Sequence, residues 1–349
     1  MGRPVAAIVS FRLGGSDGVS IEAAKWAGAL QELGFDVATV AGEGRATRIL
    51  PQLAMGASEA PSRGEVEDSL VDADLVVVEN LCSLPLNPAA GSVVAGVLHG
   101  RRAILHHHDL PWQRNLFSGF PPPPDDPSWA HVAINEISRH ELASRGIDAT
   151  VVRNTFDVKA PAGERMLTRA AMEVPENERL VLQPTRAIPR KNVAGGIALS
   201  EALGATFWLL GAAENGFGPR LDELLSQARC RVLTGDGPHR RQILIEDAYA
   251  ACDVVALPLT WEGFGNPAIE SAVHRRPLAI GHYPVAAELA AFGFRWFAAG
   301  DAGPIDRWLE HPDASLLEHN HAVAAKYFSI GDLPARIGRV IERSGWTKW

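Results

Sequence analysis

Short apolar runs separated by longer amphipathic stretches constrain this chain more than any other feature. Val5–Phe11 (VAAIVSF), Asp36–Ala41, Leu75–Glu79 (LVVVE), Ala103–His107, Trp129–Ile134 and Ala149–Val152 read as strands. Val19–Leu33, closed by Gly34, the stretch Pro88–Leu98 and Glu136–Arg145 read as helices between them. Strands alternating with helices mean βαβ units and a parallel sheet. Runs as apolar as LVVV mean a sheet covered on both faces. The scheme then repeats, with strands expected at Leu180–Leu182, Thr206–Leu210, Arg231–Leu233, Val254–Leu257, Leu278–Ile280 and Trp296–Ala298. The 349 residues suffice for two domains, at about 150 residues each. Asp157–Glu164 (DVKAPAGE) has no apolar period, carries Pro and Gly, and reads as the linker. The expected fold class is α/β: two doubly wound, Rossmann-like domains facing a central cleft, residues 1–157 and 158–331. The last helical stretch, within 332–349, is expected to pack back on the first domain.

Composition narrows the function classes. Lys and Arg number 33 against 41 Asp and Glu, a net charge of −8, and no basic run occurs, so no nucleic-acid partner is expected. Cys82, Cys230 and Cys252 form no CxxC pair, which argues against a disulfide framework or thiolate zinc site and fits a reducing compartment. The first residues, MGRPVAAIVSFRLGGSDG, read as a strand and a glycine loop rather than a signal peptide. No apolar run reaches the ~18 residues of a membrane span. A cytoplasmic location and no membrane association are the expectations.

Four segments carry chemistry. In Pro258–Pro277 (PLTWEGFGNPAIESAVHRRP) a buried strand runs into Glu262-Gly263-Phe264-Gly265, then a helix with Asn266 as N-cap and Pro267 in its first turn, ending near Arg276. Such a unit aims backbone N–H groups and a positive helix end at an anion such as a diphosphate. Glu262 and Glu270 then make better sense as acceptors for hydroxyls at the two ends of a ligand than as phosphate contacts. An ordinary helix start with two solvated glutamates is the alternative. In Gln183–Asn192 (QPTRAIPRKN), Arg186 and Lys191 lie in a strand-to-helix loop and suit a diphosphate, while Arg190 is expected to be solvated. Gly14-Gly15-Ser16-Asp17-Gly18 after the first strand is not GxGxxG, so hydride chemistry loses support, but it still allows close approach of phosphate or sugar. His106-His107-His108-Asp109 ends a strand; His106 and His108 share a face, and a metal would want a further ligand that the sequence does not name. His108 is the candidate polar contact to substrate. Beyond it, Trp112 suits stacking on a sugar ring, and Arg114 suits pairing with a carboxylate or phosphate of an acceptor.

Together these residues resemble the retaining GT-B glycosyltransferases, specifically glycosyltransferase family 4. The resemblance runs over nearly the whole chain: the Gly14-Gly15 loop, His108-Asp109, Arg153-Asn154-Thr155-Phe156-Asp157 near the linker, Arg186 and Lys191, and Glu262-Gly263-Phe264-Gly265 with Glu270. The resemblance implies a metal-independent hexosyltransferase with no cofactor, moving a sugar from a nucleotide-sugar donor to an acceptor hydroxyl; the guanidinium of Arg114 adds the expectation of a small anionic or sugar-like acceptor. Arg186 and Lys191 match the pair that holds the donor diphosphate. Glu270 matches the glutamate on the donor ribose, and Glu262 the one on the hexose. Gly263, Phe264 and Gly265 match backbone contacts. Gly15 matches the glycine near donor phosphate and acceptor, and His108 the histidine beside the reacting sugar. Glu288 matches a further glutamate whose role stays open. Gly14, Trp112 and Arg114 are the acceptor candidates. Asp72-Ala73-Asp74 is a DxD by letters, but it precedes a buried strand and so sits at the wrong edge of a sheet for metal. A non-catalytic two-lobed nucleotide-sugar-binding protein and a GT-B epimerase are the alternatives; a donor consumed only when an acceptor is added separates them.

Overall fold

The computed structural model describes residues 2–15, 17–214, 216–235, 237 and 243–346. The chain forms two compact units, Met1–Thr155 with Ile330–Trp349, and Phe156–Ser329.

Unit 1 holds seven strands: β1 (Val5–Leu13), β2 (Asp36–Gly44), β3 (Arg48–Ile49), β4 (Leu75–Glu79), β5 (Ala103–His107), β6 (Trp129–Ala133) and β7 (Ala149–Val151). They pair in the order β3-β2-β1-β4-β5-β6-β7, all in parallel. Helices α1 (Gly18–Glu32), α2 (Arg63–Ser69), α3 (Pro88–Leu98) and α4 (Glu136–Ala143) connect them. Alternation along the strands sorts side chains into two cores. Ala6, Ile8, Leu75 and Val77 face one side with Trp26 and Leu30 of α1. Ala7, Val9, Val76 and Val78 face the other with Val66 of α2 and Val94 and Val97 of α3. β4 is buried at all five positions, so its run is apolar except for Glu79.

Unit 2 holds α5 (Arg165–Ala171), β8 (Leu180–Gln183), α6 (Val193–Ala202), β9 (Thr206–Leu209), α7 (Gly218–Gln227), β10 (Val232–Thr234), α8 (Ile245–Ala251), β11 (Val254–Leu257), α9 (Asn266–Val273), β12 (Leu278–Ile280), α10 (Pro284–Ala290), β13 (Phe297–Ala298), α11 (Ala302–Glu310) and α12 (Ala314–Tyr327). Its sheet runs β10-β9-β8-β11-β12-β13, again parallel. In both sheets the order reverses beside the first strand, which opens a crevice at the carboxyl ends of the strands, the position where open α/β sheets bind ligands.

The chain then re-enters unit 1. Helix α13 (Leu333–Arg343) packs Leu333, Ile337, Val340 and Ile341 into the core that holds Trp26 and Leu30.

Candidate active site

In unit 2 two loops leave the carboxyl ends of β8 and β11, which lie side by side with Val181 opposite Val254. Asn192 joins them. It adopts φ 49°, accepts from the Gly195 N–H at 3.2 Å to cap α6, and donates Nδ2–H to the Pro258 carbonyl at 2.9 Å. The Thr260 N–H donates to the Arg190 carbonyl at 3.1 Å. Gln183 donates to the Lys191 carbonyl at 2.8 Å. This stitching brings Lys191 Nζ and Arg190 Nη1 to one oxygen of Glu262, Oε2, the Arg190 bond being 2.6 Å. Burial alone would raise the Glu262 carboxyl, but Lys191 and Arg190 hold it below its ordinary range. Burial pulls the Lys191 ammonium below its own ordinary range, against the attraction of Glu262.

Several expectations change here. Arg190 is not solvated: its guanidinium holds Glu262 and lies 5.7 Å from the Trp261 ring. Glu262 is not a free acceptor either, since Oε2 is taken and only Oε1 stands outside the ion pair. The N-cap of α9 is Gly265 rather than Asn266. Gly265 has φ 93°, a conformation that favours glycine, and a β-carbon there would come 2.9 Å from the Tyr283 hydroxyl. The helix stops at Val273, three residues before Arg276. Phe264 is buried and packs on Phe156 and Phe328, ring centroids 6.3 and 6.1 Å away, so a ligand meets its backbone rather than its ring. Glu270, one turn into α9, accepts from the Tyr249 hydroxyl at 2.8 Å. Arg186 lies on the same loop as Lys191 but is far more exposed, paired with Glu214 at 2.6 Å.

In unit 1 the candidates gather at the carboxyl ends of β1 and β5. Gly14 (φ 71°) and Gly15 are exposed in the loop before α1, which Asp17 caps by accepting from the Ser20 N–H at 3.2 Å. A cavity of about 520 Å³ opens beside this loop, lined by Gly14, Gly15, Ser20 and Lys25 with Ile330 and Pro334. His106 and His108 do share a face. Each directs a ring nitrogen to Oε2 of Glu79, His106 Nδ1 at 2.9 Å and His108 Nε2 at 2.6 Å. The sequence reading found no third group beside these histidines; the structure brings Glu79 to them. Among the described residues this trio alone offers metal-ligand atoms within 4.8 Å of one another, and hydrogen bonds already join it. Burial would raise Glu79, but its two imidazoles hold it at about 2. Burial lowers His106; at His108 the Glu79 carboxylate outweighs burial and raises the imidazole. His107 points to the opposite face, between Ser83 Oγ at 2.5 Å and His131 at 2.8 Å.

Trp112 and Arg114 are more occupied than expected. The guanidinium of Arg145 sits 3.7 Å over the Trp112 ring, and Trp112 Nε1 donates to Glu141 at 2.9 Å, so one ring face and the polar edge are used. Arg114 donates to Asp109 at 2.7 Å and keeps a third of its side chain exposed. The DxD letters are structural at Asp74, which accepts from the Val5 N–H at 2.8 Å.

No family model matches the chain. A mannosylglucosylglycerate synthase of Thermotoga maritima is 25% identical over 426 aligned residues, covering 96% of this chain and 99% of the relative. Among solved structures, the sucrose-phosphate synthase of Thermosynechococcus elongatus superposes with a TM-score of 0.74 at 14% identity, covering 99% of this chain and all of that one. Anabaena HepE, solved with UDP and glucose, superposes with a TM-score of 0.71 at 18% identity, covering 97% of this chain and all of that one. The chain is a glycosyltransferase with the GT-B fold.

In this glycosyltransferase the sequence alone assigned no site role to Glu79, Arg190 or Asn80. Asn80 has φ 60°, and its Oδ1 accepts from the backbone N–H of both His108 and Asp109 at 3.1 Å. A usable signal existed for the first and third: a Glu-Asn pair closing an apolar strand places polar side chains where the sheet meets its ligands.

Proposed function

We propose that the chain is a retaining hexosyltransferase of the family 4 type, using a nucleotide-sugar donor, no metal, and a small anionic or sugar-like acceptor. The observation that carries this reading is the meeting of Lys191, Arg190 and Glu262 beside the glycine that opens α9. A diphosphate there finds two cations, the exposed guanidinium of Arg186 and the N–H groups at the starts of α6 and α9. Leaving-group charge then develops against groups already in place, which is how preorganised electrostatics lowers a barrier. Glu262 Oε1 and Glu270 serve the hexose and ribose hydroxyls. Gly263, Phe264 and Gly265 serve through their backbone. His108 contacts the reacting sugar, and Gly14, Gly15 and Arg114 belong to the acceptor side.

In the proposed step an acceptor hydroxyl oxygen bonds to the anomeric carbon on the face that the diphosphate leaves. The bond from that carbon to the phosphate oxygen breaks with its electron pair. The departing phosphate takes the hydroxyl proton, so no enzyme nucleophile is required and the anomeric configuration is retained. The relative named for mannosylglucosylglycerate, a glycoside ending in a carboxylate, supports an anionic or sugar-like acceptor. The HepE complex with UDP and glucose supports a nucleotide-sugar donor.

The test is release of nucleoside diphosphate from UDP-, GDP- and ADP-hexoses, each with and without glycerate, glucosylglycerate and hexose phosphates, with the product anomer read by NMR. Release that depends on acceptor, retention of configuration and full activity in EDTA are expected. An inverted product or strict dependence on added magnesium or manganese would overturn the reading.

A further inference from the structure

Glu79 is fully buried at the end of β4, directly opposite His106 of β5 in the parallel register. His108 lies two residues on from His106, on the same face. Both imidazoles bond the same oxygen of Glu79, while its other oxygen, Oε1, has no hydrogen-bond partner among the described residues. The charge of this carboxylate therefore depends on the two histidines. From behind, Trp26 of α1 covers His106 with ring centroids 4.4 Å apart. Nearby on the same helix, buried Glu22 accepts from Lys25 at 2.6 Å. The result is a carboxylate braced by one imidazole and bonded to a second that stands at the carboxyl edge of the sheet.

A buried carboxylate is a poor way to stabilise a strand. Desolvation takes back much of what ion pairing gives, and an apolar residue of similar volume usually does as well. β4 supplies apolar residues at its four preceding positions, so Glu79 stands out for what it holds. Buried titratable groups with a specific partner at a ligand edge cluster at functional sites.

We propose that Glu79 is a positioning residue for His108. It accepts the Nε2 proton of His108, fixes the tautomer and the ring plane, and leaves Nδ1 as the nitrogen that meets the reacting sugar. His106 is the brace that keeps the Glu79 carboxylate in line. This rests on the reading of His108 as the residue beside that sugar. The device matches the outer hydrogen bond that orients a functional histidine by engaging the nitrogen it does not use.

The test combines a mutant cycle with a spectrum. Glu79→Gln should lower kcat by roughly 10–100-fold, as loss of an orienting partner commonly does, with the KM for donor within about two-fold of wild type. In a His108→Ala background the same change should add less than about two-fold, because Glu79 acts only through His108. Glu79→Asp, which keeps the charge on a shorter arm, serves if the Gln variant does not fold. Imidazole ¹⁵N NMR of the wild-type chain should show His108 protonated at Nε2 without any variant being needed. Equal losses in the two backgrounds, an unprotonated Nε2, or stoichiometric zinc found by elemental analysis would overturn the proposal. Full turnover by His108→Ala would sink the reading of His108 itself, and the NMR result would still report on the Glu79 pairing separately.

Discussion

Replacing Lys191 with Met keeps most of the side-chain volume and removes the ammonium. Losing one partner of a buried ion pair outright costs about 3–5 kcal/mol, because the other charge is left uncompensated. Here Glu262 keeps Arg190 at 2.6 Å. The loss is then closer to one charge-assisted hydrogen bond, about 2 kcal/mol. A unit the size of Phe156–Ser329 changes Tm by about 2–4 °C per kcal/mol, so calorimetry should show a drop of about 4–8 °C. Turnover at saturating nucleotide sugar should fall by a much larger factor, about 10²-fold, since a preorganised contact to the leaving group is lost. Steady-state release of nucleoside diphosphate measures the second quantity. A variant with lowered Tm and near-wild-type kcat would make Lys191 a purely structural partner of Glu262. An unchanged Tm would refute the buried pairing.

Other outcomes follow from the same geometry. Arg186→Ala should cut turnover by about 10²-fold while leaving Tm within about 1–2 °C, because its pair with Glu214 is exposed and such pairs contribute little. Arg114→Lys should raise the acceptor KM several-fold and leave the donor KM unmoved; a donor KM that rises in parallel would place Arg114 elsewhere. Stability should fall as pH drops from 7 to 5. Burial holds His107 well below its ordinary range and lowers His106 and His131, so the unfolded chain binds protons below about pH 6.5 that the folded chain refuses. Burial lowers His274 as well, and the raised His108 and Glu22 work in the opposite sense. A melting temperature that climbs on acidification would contradict this assignment, and His107→Gln should flatten the decline.

The parallel α/β architecture was legible because the buried strands announce themselves. Leu75–Glu79, Ala103–His107, Val254–Leu257 and Leu278–Ile280 have the ends that the apolar runs suggest. β1 runs on past Phe11 to Leu13, whose buried side chain joins the core beyond the polar Arg12, and β2 runs on past Ala41 to Gly44 because paired backbone continues there. Helix α2 was missed although Ser62-x-x-Glu65 forms a full capping box, with Glu65 N–H to Ser62 Oγ at 3.2 Å and Ser62 N–H to Glu65 at 2.7 Å. Its seven residues carry too little apolar period to draw attention. The pairing of side chains was the part that spacing could not give. That Arg190 rather than solvent meets Glu262, that Arg145 covers Trp112, and that Glu79 stands under His108 all depend on segments 29–72 residues apart in the chain. One-dimensional periods carry no information about such partners.

The return of the chain into unit 1 has a consequence for how the protein is made. Trp26 and Leu30 of α1 are synthesised well ahead of part of their cover, Leu333, Ile337 and Trp346. Unit 2 is one unbroken segment and can close its own core while the ribosome is still working. The α1 face of unit 1 stays open until α13 emerges, leaving a greasy surface for a chaperone or another chain to find. At the ~5–20 residues per second of synthesis, that wait lasts tens of seconds. A truncation before Leu333 would leave unit 2 intact and give a protein whose fault lies more than three hundred residues upstream of the cut.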